Sequence, residues 1–182
     1  MSWRSLLALA AEQRGDFTAS EAAQQGLSWR APSGRVERGN IHRTERGLYR
    51  LPHWPAEPND ELNALQALAP FGTFSHETAL SLLGLSDIIP TAIHFTIPES
   101  SRLGRQAGIR LHRSRHRAGQ DRTLRDGLWV TTARRALLDS ARIGSDPDQL
   151  LEAAREARAR AMLTADDIAR LRDDRHFRRA GL

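Results

Sequence analysis

Apolar residues recur at three- and four-residue spacing at the start of the chain. Trp3, Leu6, Leu7, Ala10 and Ala11 predict an amphipathic helix over 3–13, which Gly15 ends. In "FTASEAAQQG", Thr18 is followed three residues later by Glu21. The hydroxyl can accept from the backbone N–H of residue 21 while the carboxylate accepts from the N–H of Thr18, so a short capped helix starts there and stops at Gly26. In "SWRAPSGRVERGN", Pro32 fits the first position of a helix over 32–38 that Gly39 closes. Trp29 and Val36 then face inward and Arg30, Arg35 and Arg38 outward. Gly34 weakens so short a helix by about 1 kcal/mol relative to Ala. Two extended runs, 40–43 and 48–51, flank the turn "TERG", with Gly47 supplying a positive φ. Pro52, Pro55 and Pro58 read as a stiff linker, which divides the chain into residues 1–58 and 59–182.

The order helix, capped helix, turn, helix, hairpin predicts a winged helix-turn-helix domain. Arg30, Arg35, Arg38, Arg43, Arg46 and Arg50 lie close together in it, with the hairpin arginines where a wing meets phosphates beside the groove. The plainer alternative is a small α+β domain whose hairpin is merely soluble. Beyond the prolines the pattern is mixed. Residues 60–68 form an amphipathic helix, and "SHETALSLLGL" is a helix with Ser75 at its N-cap. "AIHFTIP" (92–98) and "GIRLHRS" (108–114) alternate as strands. "GLWVTTARRALLDSAR" is a strand ending near Val130 and then a helix capped by Thr131 or Thr132. Two more helices are entered through Asp146, with Pro147 at N1, and through Thr164. The fold class is therefore α+β, a winged helix followed by a mixed α/β domain.

Charge sharpens this picture. All 27 basic residues are arginine, so lysine-dependent chemistry is excluded: Schiff bases, the P-loop, and nuclease motifs ending in Lys. The absence of cysteine excludes disulfides and thiolate metal sites. Residues 1–58 carry 8 Arg and 6 acids, 59–101 no Arg and 5 acids, 102–135 10 Arg and 2 Asp, and 136–182 nine of each. The basic block at 102–135 reads as a surface for nucleic acid or an acidic partner, through Arg110, Arg113, Arg115 and Arg117. Neutralisation by the acidic segment before it, or a merely solvated edge, are the alternatives. No apolar run approaches the roughly 18 residues of a membrane span. The short run at 6–11, ended by Glu12, Gln13 and Arg14, is an ordinary helix rather than a leader.

Catalytic and metal motifs are thin. His112 and His116 are four apart but fall on a strand and its following loop with no evident third ligand, so no metal is expected. His76 beside Ser75 reads as cap and core packing; the turn lacks the G-x-S-x-G nucleophile pattern. Thr131, Thr132, Arg134 and Arg135 read as a plain helix start rather than an anion site.

Taken together, "GDFTASEAAQQGLS", "VERGNIHRTERGLYRLP", "TFSHETALSLLGL", "IHFTIP", "IRLHRS" and "DGLWVTTARRALLDSA" resemble the AbiEi-type antitoxins, over roughly residues 10–145. These are the regulator halves of abortive-infection toxin–antitoxin pairs. The resemblance implies an N-terminal winged helix that binds double-stranded operator DNA and represses its own operon. It implies a C-terminal domain that counters a nucleotidyltransferase-like toxin. It carries DNA contact onto Ser28, Arg30, Ser33, Arg35, Arg38, Arg43, Arg46 and Arg50. The family's third helix is a regular run with a central Leu, where this chain has "APSG". Some relatives continue into a small endonuclease-like domain; here the sequence stops at "RRAGL", and no nuclease is expected. The expectation is thus a cytoplasmic, non-enzymatic regulator without cofactor or metal, a monomer or weak dimer on DNA. The alternative is a C-terminal domain with nuclease or transferase activity tethered to the winged helix.

Overall fold

The computed structural model describes residues 3–27, 36, 39–45, 47–52, 54–55, 59–114 and 121–179. Two compact units result, Met1–Pro70 and Phe71–Leu182. The division falls after Pro70 rather than at Pro58. The helix Asp60–Leu68 packs against strands of the first unit, and Arg50 on one of those strands pairs with Asp60. Pro52 and Pro55 thus lie within the unit, and the helix after them belongs to it; Pro58 lies outside the described residues.

The first unit runs α1 (Trp3–Glu12), β1 (Asp16–Thr18), α2 (Ala19–Gln24), β2 (His42–Glu45), β3 (Leu48–Arg50) and α3 (Asp60–Leu68). The capping box at Thr18 and Glu21 forms in both directions. Glu21 also accepts a hydrogen bond from the Gln13 side chain, tying the end of α1 to α2. The expected hairpin is present as β2–β3, with an irregularity between Arg43 and Glu45. The sequence pattern does not announce β1, which pairs antiparallel with β3, so the sheet order is β1-β3-β2. Three residues are too few to show an alternating pattern. Leu6, Ala10, Phe17, Ala22, Ile41 and Tyr49 form the core, with the Phe17 and Tyr49 rings stacked at 5.7 Å. Val36 packs against this core, as its inward placement predicted. The rest of the expected 32–38 helix, with Trp29, lies outside the described residues except Val36. Gly15 has φ +88°, and a Cβ there would come within 2.5 Å of the Trp54 ring. Any other residue would be strained and would also displace that indole.

The second unit holds a five-stranded mixed sheet in the order β6-β5-β4-β8-β7. Its strands are β4 (Thr73–Phe74), β5 (Ile93–Pro98), β6 (Ile109–Ser114), β7 (Arg122–Arg125) and β8 (Leu128–Thr131). Its helices are α4 (His76–Leu82), α5 (Ala133–Ile143), α6 (Pro147–Ala159), α7 (Ala165–Asp173) and α8 (Arg175–Arg179). β5 and β6 pair in parallel, as do β4 and β8; β4–β5 and β7–β8 are antiparallel. Phe74, Phe95, Ile97 and Val130 are buried from the sheet, and Leu80 and Leu137 from α4 and α5. α4 packs on α5 and against β5. The caps behave as their chemistry dictates at Asp146, which accepts from the N–H groups of Asp148 and Gln149, and at Thr164, which forms a full capping box with Asp167. Ser75 and Thr132 occupy N-cap positions without a side-chain cap bond. Among the described residues no helix is long and apolar enough to cross a membrane. The whole is an α+β chain with helices and two sheets.

Candidate functional site

The expected DNA-contact residues divide into three groups. Ser28, Arg30, Ser33, Arg35, Arg38 and Arg46 lie outside the described residues. Arg43 is exposed on β2, an edge strand of its sheet, beside exposed His42 and Thr44. Arg50 is a different case. Its Nε and Nη2 donate to the two carboxylate oxygens of Asp16 at 2.8 and 2.7 Å, and Nη1 donates to Asp60 at 2.7 Å. Asp16 is buried at 3% side-chain exposure. The bidentate fork to Asp16, and the second carboxylate, hold this guanidinium protonated more firmly than usual despite its burial. Arg50 joins β1, β3 and α3, its guanidinium engaged by Asp16 and Asp60.

The basic block divides similarly. Arg115 and Arg117 lie outside the described residues. Arg110 is exposed on β6, an edge strand. Arg113 is exposed but donates to the carbonyls of Glu99, Ser101 and Leu103 at 2.9–3.2 Å, so its fork holds the loop after β5. Arg134 pairs with Asp121 and Asp167, and Arg135 with Asp121 and Asp139. These partners come from beyond the acidic 59–101 segment. They stitch the start of α5 to the residue before β7 and to α7.

A second arrangement went unforeseen. Parallel pairing sets His94 opposite Arg110 and Thr96 opposite His112, so these four side chains share one face of β5–β6. α4 brings His76 onto that face. The His76 and His112 rings stack with centroids 3.8 Å apart, and His94 lies 5.1 Å from each. His112 Nε2 and His94 Nδ1 are in hydrogen-bond contact at 3.1 Å. One nitrogen from each of the three rings falls within 4.8 Å of the others. His76 and His94 are buried and His112 is half-buried.

Local structure holds this cluster. His76 has φ +55°, a left-handed conformation costing a non-glycine residue roughly 1–3 kcal/mol. Ser75, freed from capping, contacts His76 Nδ1 through its Oγ at 2.9 Å and accepts from the Thr96 hydroxyl at 2.7 Å. The Thr78 hydroxyl accepts from the backbone N–H of His94 at 2.8 Å, locking α4 to β5. Burial, and then the neighbouring imidazoles, push the His76 pKa down to about 3. The same order of causes takes His94 to about 4. His112 is lowered by burial, with Asp139 opposing and Arg110 assisting. The three rings are therefore neutral at pH 7, each with a lone pair on one nitrogen.

The expectation of no metal weighed His112 with His116, a residue outside the described set. The partners that the fold supplies are His76 and His94, far away in sequence. The available signal was that His94 and Thr96 occupy the polar positions of an otherwise apolar strand, and His112 the matching position of the next. Their meeting required knowing that those strands pair in parallel, which periodicity does not tell.

No family model matches the chain, and neither does any curated protein sequence. The fold does have a counterpart among solved structures. The crystal structure of the RV2827C protein from Mycobacterium tuberculosis superposes with a TM-score of 0.62 over 96% of this chain and 73% of that one, at 17% identity. At that identity the likeness concerns the fold alone.

Proposed function

We propose that the first unit is a winged helix-turn-helix domain and that the protein is a DNA-binding regulator of the antitoxin type. The observation that carries this reading is the sheet order β1-β3-β2 combined with the element order α1, β1, α2, the segment 28–38, then β2–β3. A winged helix uses this plan: a short strand between its first two helices pairs with a C-terminal hairpin, and the third helix is presented beside the hairpin. Val36, packed on the core from the 28–38 segment, supports a helix there. Arg43, exposed on β2, supplies phosphate contacts, with Arg46 of the "TERG" run beside it. Arg30, Arg35 and Arg38 on the third helix supply the groove contacts, with Ser28 and Ser33 beside them. The protein acts in the cytoplasm on its own operator, without catalysis, and its second unit counters a nucleotidyltransferase-like toxin.

The test uses the full chain and the DNA upstream of its own gene. Specific binding should weaken by about 1–3 kcal/mol in Arg35→Ala or Arg38→Ala, with little change on scrambled DNA. The double variant Arg43→Ala/Arg46→Ala should weaken both DNAs alike and reduce the salt slope by about one for each phosphate no longer neutralised. Salt-independent or absent binding to both DNAs would sink the reading.

A further inference from the structure

We propose that His76, His94 and His112 form a binding site for one divalent transition-metal ion of the zinc type, in the second unit. The donor set comes from three separate elements, α4, β5 and β6, and converges within 4.8 Å. Zinc bonds to imidazole nitrogen are about 2.0–2.1 Å long, which sets nitrogens at tetrahedral corners about 3.3 Å apart. His94 Nδ1 and His112 Nε2 already stand 3.1 Å apart. Their contact uses one proton between two nitrogens; an ion inserted there would engage both lone pairs. The Nδ1 of His76 is held by Ser75, which leaves its Nε2 as the third donor.

The surroundings have the features of a ligand shell. Metal-bound imidazoles donate their other N–H to an oxygen that fixes the ring. The Ser75 hydroxyl is placed to accept from His76 Nδ1, and the Thr96 hydroxyl anchors that serine in turn. His76 takes its unusual backbone at the start of α4, where its ring stacks on that of His112. Three imidazoles converging inside a domain, tied by one ring-to-ring hydrogen bond and one to Ser75, are an arrangement that a shared cation would satisfy. Neutral imidazoles bind a cation without first losing protons. An all-nitrogen donor set favours zinc, cobalt, nickel or copper over magnesium or calcium. His112, half-buried on an edge strand, gives the ion its route in, and water completes the coordination. The ion would pin the start of α4 to the β5–β6 edge, where the backbone is strained.

The experiment is a titration of the chelator-treated full chain with Co²⁺, followed by its visible absorption, and with Zn²⁺, followed by calorimetry and melting temperature. The expected result is one equivalent bound, a tetrahedral cobalt spectrum that Zn²⁺ displaces, and a higher melting temperature for the zinc form. His112→Gln, at the half-buried edge, should lower affinity at least about a hundredfold, Ser75→Ala about tenfold or more, and His42→Gln, exposed in the first unit, not at all. Ring-nitrogen NMR of the unaltered protein gives an answer that no variant's folding can confuse: three of the seven histidines should shift on adding Zn²⁺. No saturable binding, binding that survives His112→Gln, or shifts confined to other histidines would each overturn the site.

Discussion

Arg50 shows how one side chain can look functional and be structural. In sequence it is an arginine on a basic hairpin; in the fold it grips Asp16 and Asp60 from β3. Removing the guanidinium strands a buried carboxylate, so Arg50→Ala should lower stability by about 2–3 kcal/mol, less than for a fully enclosed pair because the arginine is one-fifth exposed. Urea denaturation measures the loss. If the chain binds DNA as proposed, the affinity of the folded fraction should be unchanged, and a selective loss of DNA binding in a variant of normal stability would assign Arg50 to the DNA contact. The histidines make the complementary point, since none of the three belongs to a recognisable motif. In metal-free protein their depressed pKa values have a definite sign. The folded state holds them neutral while the unfolded chain protonates near pH 6.5, so stability is complete above that pH and falls as pH drops toward 4 and 3. A melting temperature flat from pH 7 to pH 4 would contradict the buried, neutral arrangement.

At the scale of elements, legibility followed chemistry that is local. Thr18 with Glu21, Asp146 with Pro147, and Thr164 announced helix starts because a cap and its partner lie within one turn. The strands at 93–98 and 109–114 were legible from alternation. The strands β1, β4 and β7 were not, being short or, in β7, mostly exposed and rich in arginine. Their identity depends on partners distant in sequence, as with Phe74 paired to Phe95 and Val130. The helix at 60–68 is where its pattern puts it, but its allegiance was hidden, because Asp60 reveals its partner only in the fold. The α7 cap offers a test at this scale. Thr164→Ala removes the hydroxyl that accepts from the N–H of Asp167 and donates to its carboxylate, and should cost about 1 kcal/mol in chemical denaturation. The N–H and hydroxyl of Thr164 hold the Asp167 carboxyl below the usual range. That part of the stability is present above the unfolded carboxyl pKa near 4 and is lost as pH falls through the lower folded value. Asp167→Asn should therefore flatten the acid limb of the stability profile; an unchanged limb would mean that the cap contributes nothing.

For the whole molecule, the distribution of charge remains the informative quantity. The basic block at 102–135 poses a choice between internal neutralisation and an external acidic partner. Among the described residues the fold commits some of these arginines internally and leaves Arg110 exposed. Arg134 and Arg135 are bound to Asp121, Asp139 and Asp167, and Arg113 holds backbone carbonyls. Arg110 stands exposed on the edge strand, just before the segment that carries Arg115 and Arg117. If the block contacts DNA or an acidic protein face as proposed, these three rather than Arg113 are the residues to test. If the first unit binds DNA as proposed, it has few arginines left for phosphates once Arg50 is committed to the fold. Binding by that unit alone should therefore show a shallow salt dependence, and a steep one would require the second unit. The triple variant Arg110→Ser/Arg115→Ser/Arg117→Ser tests this in the full chain, with its melting temperature compared with the wild type. If the second unit contacts DNA, operator affinity and the salt slope should fall together, by about one slope unit per phosphate released. If it contacts the toxin, DNA binding should be unchanged and protection of cells expressing the toxin should be lost. Wild-type behaviour in both assays, with an unaltered melting temperature, would reduce the block to a charged edge that discourages strand-to-strand association.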